Sequence, residues 1–191
     1  MGIESILKEM KKKELVCLEP FSGSGTTALE LQNNNIPCYA FEVNPLMYLI
    51  ARVKLENNYD VNRIIFWHDY IKNSRDNMQV VLQTTLYEDE NKKKWNYNTE
   101  VGIAIQKLKN SISNIDEDIY KDLFTVALAS ILLEVSNLYR NGKCLSYKKN
   151  WKERSISQDD VFRRFDEKIE EQIISDIRDS MNRKTTQNNK Q

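Results

Sequence analysis

The stretch Leu15 to Asn44, LVCLEPFSGSGTTALELQNNNIPCYAFEVN, constrains the fold more than any other part of the chain. Leu15 to Leu18 is a short apolar run of the kind that forms a buried parallel strand. Phe21 to Ala28 then holds Gly-x-Gly-x-x-Ala, where glycine allows a tight turn and a close approach of backbone to ligand. Thr26 to Gln32 has helix composition, and Asn33, Asn34 and Asn35 end that helix because asparagine tolerates left-handed backbone. Pro37 to Phe41 predicts a second strand, closed by the acidic Glu42. Strand, glycine turn, helix, strand and acid, in that order, make the first crossover unit of a nucleotide-binding α/β fold. A phosphate-binding P-loop is excluded, because no lysine follows the last glycine. An acid at the position of Glu42 can accept hydrogen bonds from both ribose hydroxyls of an adenosine cofactor.

The rest of the chain reads as helical. The only prolines, Pro20, Pro37 and Pro45, lie in the first quarter, so long helices with few tight turns are expected beyond them. A short helix is predicted over 3–12. Asn44 and Pro45 supply an N-cap and a first helical residue, and Leu46 to Glu56 continues with Leu46, Leu49, Ile50 and Val53 as its apolar stripe. From Asp60 on, no strand is predicted: helix over Val61 to Leu86, a polar loop Glu88 to Thr99, helices Gly102 to Ser111 and Asp116 to Leu138. A break at Asn141-Gly142 leads into a basic loop and a last helix, Gln158 to Arg183, striped by Phe162, Phe165, Ile169, Ile173, Ile177 and Met181. The expected class is therefore α/β, with a partial Rossmann-like cofactor-binding unit of two clear strands over 1–58. A mostly α-helical region, suited to target recognition or partner docking, follows over 59–184, and a disordered tail over 185–191.

Dinucleotides and S-adenosylmethionine share this geometry, and the wording of the motif separates them. Glu19-Pro20-Phe21-Ser22-Gly23-Ser24-Gly25-Thr26-Thr27, followed by Phe41-Glu42-Val43-Asn44-Pro45, resembles the amino-methylating DNA methyltransferases, which act on adenine N6 or cytosine N4. The resemblance is carried by their first cofactor motif and their acid-x-Asn-Pro segment, and covers roughly residues 15–55. It implies S-adenosylmethionine as cofactor and double-stranded DNA as substrate, within a restriction–modification system. By that resemblance Glu19, Phe21, Gly23, Gly25 and Thr26 would surround the methionine part, with Pro20, Ser22, Ser24 and Thr27 completing the turn. Glu42 would take the ribose, and Val43 and Asn44 would lie near the adenine. More loosely, SNLYRNGKCLSYKKNW is similar to the helical insertion of members in which the cofactor motif precedes the catalytic one.

The family transfers its methyl group with an Asp/Asn/Ser-Pro-Pro-aromatic tetrapeptide that grips a flipped-out base. Here there is no Pro-Pro, and no proline after Pro45. No catalytic residue is therefore expected in this chain. A two-stranded parallel sheet with a bare apolar edge is also not a viable end state. A complementary polypeptide carrying the catalytic motif, or a gene interrupted between the two halves, accounts for both.

Between Arg140 and Arg154, Arg140, Lys143, Lys148, Lys149, Lys152 and Arg154 stand against one acid, with Tyr139, Tyr147 and Trp151 interleaved. Cations beside stacking aromatics suit DNA contact, which selects Arg140, Lys143, Tyr147, Lys148, Lys149 and Trp151; a solvated loop is the plainer alternative. Net charge is zero, so nucleic-acid affinity must come from such a local patch. His68, the only histidine, reads as structural, and Trp67 and Tyr70 as core. Lys92, Lys93 and Lys94 read as a solvated loop. Cys17, Cys38 and Cys144 show no metal-like spacing and are expected as buried free thiols in a reducing cytoplasm. No metal, membrane span or secretory leader is expected. Two other classes stay open: an NAD-binding oxidoreductase fragment, and a non-catalytic helical DNA-binding or interaction protein.

Overall fold

A computed structural model describes residues 15–82 and 86–179. The helix expected over 3–12 and the tail over 185–191 lie outside these residues. The chain divides into two compact units, Met1–Asn58 and Tyr59–Gln191.

The first unit is one βαβ crossover and a further helix. β1 (Cys17–Glu19) leads through the glycine turn into α1 (Thr26–Asn33), β2 (Cys38–Ala40) and α2 (Pro45–Leu55). The strands pair in parallel, with Leu18 opposite Tyr39. Asn35 takes the left-handed conformation (φ 55°) that stops α1. Asn44 caps α2, its Oδ1 accepting from the amides of Leu46 (3.0 Å) and Met47 (3.2 Å), with Pro45 following as the first helical residue. This is the partial Rossmann-like arrangement expected from the sequence.

One face of the two-stranded sheet carries Leu18 and Tyr39 side by side, and the two-residue strand period puts Val16 and Phe41 on the same face. All four are largely exposed, at 64% for Val16, 68% for Leu18, 67% for Tyr39 and 59% for Phe41. Among the described residues of this unit, the buried apolar ones are Ala28, Leu31 and Ala51. The stripe expected to bury α2 is at best half-buried, and Leu46 is exposed.

The second unit packs α3 (Val61–Ser74), α4 (Thr99–Ser113), α5 (Asp118–Val135) and α6 (Gln158–Glu167) around a core that includes Ile64, Ile71, Leu108, Phe124 and Phe165. α5, apolar nearly all round in sequence, buries Tyr120, Leu123, Phe124, Ala127, Leu128, Ile131 and Val135. His68 is buried. Its Nε2 lies 2.9 Å from Asp166 Oδ1, and Asp166 also receives both its oxygens' contacts from Arg75 Nη1 at 3.0 and 3.1 Å. Burial disfavours the charged form of Asp166, but the His68 hydrogen bond and the Arg75 charge hold its carboxyl below the usual carboxylate range. His68 thus ties α3 to α6, in keeping with a structural role, and Trp67 is buried with its Nε1 donating to Glu117 (2.9 Å).

Four expectations are corrected. The helix predicted over Val61 to Leu86 stops at Ser74, tightens into a 3₁₀ turn at Arg75–Asn77 and gives way to irregular chain. Asn73, Ser74, Asp76 and Asn77 offer the backbone competing hydrogen bonds, which outweighs the apolar pattern. The stretch after α5 is not a loop but an antiparallel hairpin, β3 (Leu138–Asn141) and β4 (Cys144–Tyr147). Its two-residue connection has Gly142 at φ 58°, the positive φ that a tight hairpin turn demands. The last helix continues from α6 into a π-type segment, Lys168–Ile173, before further helix over 174–179. That widened turn shifts the stripe by one residue, burying Ile174 where Ile173 was expected. Finally, the cysteines are free but not buried: Cys17 and Cys38 are half-buried, and Cys144 is exposed near the hairpin turn.

Among the described residues no helix is long and apolar enough to cross a membrane, and no cluster of His, Cys, Asp or Glu could hold a metal ion.

Candidate functional site

The glycine turn sits at the carboxyl end of β1, beside the carboxyl end of β2. Two main-chain bonds fix it there: Phe41 N–H donates to Glu19 O, and Ser22 N–H to Phe41 O, both at 2.9 Å. Glu19 Oε1 accepts from the Phe21 amide (3.1 Å). Gly25 (φ 75°) is the N-cap of α1, with no side-chain cap on that helix. The first-turn amides of α1 therefore have no intrahelical partner and favour negative charge or lone pairs at the turn.

Glu42 is the hinge of this arrangement. Its Oε2 accepts from the Gly23 amide and its Oε1 from the Asn44 amide, both at 2.7 Å. The carboxylate thus locks the turn after β1 to the end of β2. Each oxygen keeps lone-pair capacity for a further donor. Gly23 (φ 54°) faces open space, since an added Cβ would meet nothing within 4 Å. Gly25 is the reverse: its Cβ would fall 2.9 Å from Ala51 Cβ, so glycine there permits α2 to close on the turn. An acceptor-rich acid, an uncapped helix start and free space at the first glycine fit an adenosine-bearing cofactor.

The remaining turn residues frame this space. Pro20 and Phe21 are exposed, Phe21 at 86%, and Val43 beyond Glu42 is 97% exposed. Ser24 and Thr26 are held from α2 by Lys54, whose Nζ lies 3.4 Å from Ser24 Oγ and 3.5 Å from Thr26 Oγ1. Thr27 is half-buried in the first turn of α1. Glu42 also lines a cavity of about 330 Å³, together with Ser22, Ala40, Tyr48, Arg52 and Leu55 among others. The hydroxyl of Ser22 is buried there without a hydrogen-bond partner. Sequence reasoning missed Tyr48, Arg52 and Lys54, whose helical spacing on α2 looks like that of any surface residue.

The residues selected for DNA contact divide into two groups. Arg140, Lys143 and Lys149 are exposed on the hairpin and just after it. Tyr147, Lys148 and Trp151 are half-buried at its foot. Lys148 Nζ donates to the carbonyls of Leu133 (3.4 Å), Glu134 (2.9 Å) and Ser136 (2.8 Å), closing the end of α5. Burial, and then the Arg154 charge, lower its pKa. Tyr147 donates its hydroxyl to Asn96 (3.2 Å) and packs on Trp151, which packs in turn on Trp95.

Fold and site define a partial Rossmann-like α/β unit followed by a mostly helical one. No family model and no solved structure matches the chain. It is 28% identical over 149 residues to the type II methyltransferase M.MvaI of Kocuria varians, covering 71% of this chain and 31% of that protein. The similarity supports a methyltransferase relationship, and the chain spans about a third of the length of that relative.

Proposed function

We propose that this chain is the S-adenosylmethionine-binding part of a DNA methyltransferase of the amino type, working in a restriction–modification system in the cytoplasm. The observation that carries the reading is Glu42, fixed between the Gly23 and Asn44 amides at the joined ends of β1 and β2. There it would accept the ribose hydroxyls, with Val43 and Asn44 beside the adenine. Glu19, Pro20, Phe21, Ser22, Gly23, Ser24, Gly25, Thr26 and Thr27 would enclose the methionine end. When bound, the cofactor supplies an electrophilic methyl group on a sulfonium. The chain's own residues would bind and orient it, and the uncapped first-turn amides of α1 would attract its carboxylate. Arg140, Lys143, Tyr147, Lys148, Lys149 and Trp151 belong to the region assigned to double-stranded DNA.

The Pro-Pro-aromatic loop that would hold the target amino group comes, in this reading, from a complementary polypeptide. The exposed sheet face of Val16, Leu18, Tyr39 and Phe41 supports that division, because a finished sheet of this type is covered on both faces.

Isothermal titration of the chain with S-adenosylmethionine and with NAD tests the cofactor assignment. Binding of the former, lost in Glu42→Ala, is expected; binding of NAD alone would overturn it. Methylation of DNA by a reconstituted complex, undiminished by Glu42→Ala, would make the turn irrelevant to function.

A further inference from the structure

The hairpin and the loop 88–98 meet in a feature that neither segment shows alone. At the foot of β4, Tyr147 and Trp151 lie 4.8 Å apart between ring centroids, and Trp95 adds a third ring 4.8 Å from Trp151. Two cations flank this ledge. Lys94, from the distant loop, sits 5.4 Å from the Tyr147 ring, and Lys152 sits 5.7 Å from the Trp151 ring. Beyond the ledge projects the ribbon β3–β4, with Arg140 and Lys143 exposed near its turn. Tyr139 (42%) and Leu145 (59%) are also exposed, on opposite faces of the ribbon by its register.

Positive charge is in local excess here in a chain of zero net charge. The ion pairs among the described residues run elsewhere, as in Arg63–Glu117, Arg75–Asp166 and Arg163–Glu167, and none engages Lys94, Arg140, Lys143, Lys149 or Lys152. Two of the acids in the Lys94 loop are turned to their own backbone: Glu88 accepts from the Thr99 amide, and Asp89 from the Asn91 amide. Glu90 and Glu153 remain exposed.

The ribbon is rigidly footed. Asn137 is buried, its amide donates to Asn96 O (2.8 Å), and its carbonyl accepts from the Lys148 amide (2.9 Å). Its side chain donates to Asn98 Oδ1 (2.7 Å), while Lys148 clamps the end of α5. Side chains at the tip are thus presented on a fixed arm rather than a mobile loop. A two-stranded ribbon has the width that a major groove admits, and cations set to either side of it can meet the flanking phosphates.

We propose that β3–β4 is a duplex-DNA recognition arm that enters a groove tip first, with Lys94, Lys149 and Lys152 on the phosphate backbone. Arg140 and Lys143 near the turn meet the base edges, Tyr139 and Leu145 line the groove walls from the two faces of the ribbon, and Tyr147, Lys148 and Trp151 are positioning residues that hold the arm. The assignment rests on reading the chain as part of a DNA methyltransferase, and adds Lys94 and Lys152 to its DNA surface.

Fluorescence anisotropy of the full chain on a short labelled duplex, over a salt series, tests it. Each lost phosphate contact lowers the slope of log K against log salt by roughly 0.9, so Lys94→Ala/Lys149→Ala/Lys152→Ala is expected to lower it by roughly 2.7. Arg140→Ala/Lys143→Ala is expected to weaken duplex binding at least about tenfold. Should that pair fold poorly by circular dichroism, Lys143→Glu at the exposed turn takes its place with the same expectation. Unchanged slope and affinity, or equal affinity for dextran sulfate and duplex, would overturn the proposal. S-adenosylmethionine titration of the same proteins separates the two readings. Hairpin-dependent duplex binding without cofactor binding would sink the cofactor assignment alone; cofactor binding with hairpin-independent DNA binding would sink the arm alone.

Discussion

Substituting the two turn glycines separates backbone strain from packing. Gly23 (φ 54°) has open space at its Cβ position, so Gly23→Ala costs only the left-handed conformation, about 1–2 kcal/mol. Gly25→Ala adds contacts at 2.9 Å to Ala51 Cβ and 3.1 Å to Ala51 Cα. The second contact is with helix backbone, so no rotamer change relieves it and α2 itself must shift. Over-packing of this kind costs about 1–3 kcal/mol more, giving roughly 2–5 kcal/mol in all. Ala51→Gly should return part of that in the Gly25→Ala background, although alone it costs about 1 kcal/mol of helix propensity. Hydrogen exchange read by mass spectrometry over residues 17–55 is the suitable assay, because it reports local opening. Tryptophan fluorescence would not serve, since Trp67, Trp95 and Trp151 all lie in the second unit. Equal loss of protection in Gly23→Ala and Gly25→Ala, or strict additivity of Gly25→Ala with Ala51→Gly, would refute the packing argument.

Three further outcomes are expected. Glu42→Gln replaces one acceptor oxygen by a donor, leaving the Gly23 or the Asn44 amide unpaired at a cost of about 1–2 kcal/mol; faster exchange of those two amides checks it. Asp166→Asn removes the carboxylate shared by His68 and Arg75 and should cost about 3 kcal/mol at neutral pH by urea denaturation. The folded Asp166 carboxyl titrates below the unfolded value of about 3.9, so its contribution is complete above that pH and fades as pH falls through the folded value. The gap between parent and variant should therefore narrow in acid. Gly102→Ala, which on helix propensity alone would stabilise α4, should instead destabilise the second unit, because its Cβ would lie 2.5 Å from Tyr87 Cδ1. A thermal melt of the single variant and of Gly102→Ala/Tyr87→Ala shows whether removing the ring relieves the cost.

The parts of the fold legible in sequence are those written in local chemistry. Gly23, Gly25, Asn35, Asn44 and Pro45 each demand a particular backbone state, and together they fix the order strand, turn, helix, strand, helix. Glu42 could be selected because the end of β2 has a defined place in such a unit. The clamp that Lys54 makes on Ser24 and Thr26 joins residues 30 and 28 positions apart, and nothing local encodes it. The hairpin carries its own signal, Asn141-Gly142, but its strands are only four residues long and lie in a basic stretch that reads as a loop after α5. Lys148 shows the same limit from the other side. Among basic neighbours it looks like a surface cation, and only the fold reveals that it faces the last carbonyls of α5. The bare sheet face was equally hidden, since Val16, Leu18, Tyr39 and Phe41 have the composition of a core.

That face has an energetic meaning. Full burial of a large apolar side chain contributes about 1.5–3 kcal/mol, so covering four that are about two-thirds exposed would contribute roughly 4–8 kcal/mol. This is of the order of a whole domain's stability, about 5–15 kcal/mol, while the unit itself buries only Ala28, Leu31 and Ala51 among its described apolar residues. β1 is paired on one edge alone among the described residues, with β2. A partner strand added to its other edge would run beside β1, and in open α/β sheets ligands bind beyond the carboxyl ends of the strands. A loop following that strand would emerge where Gly23 and Glu42 stand. In the proposed reading, a polypeptide that completed the sheet would also be placed to deliver the Pro-Pro-aromatic loop, so stability of this unit and activity should depend on the same association. Amides of 16–18 and 39–41 are expected to gain further protection, together with the glycine turn, when the complementary polypeptide is co-expressed. Protection of the turn without the strands would separate the two roles and refute this coupling.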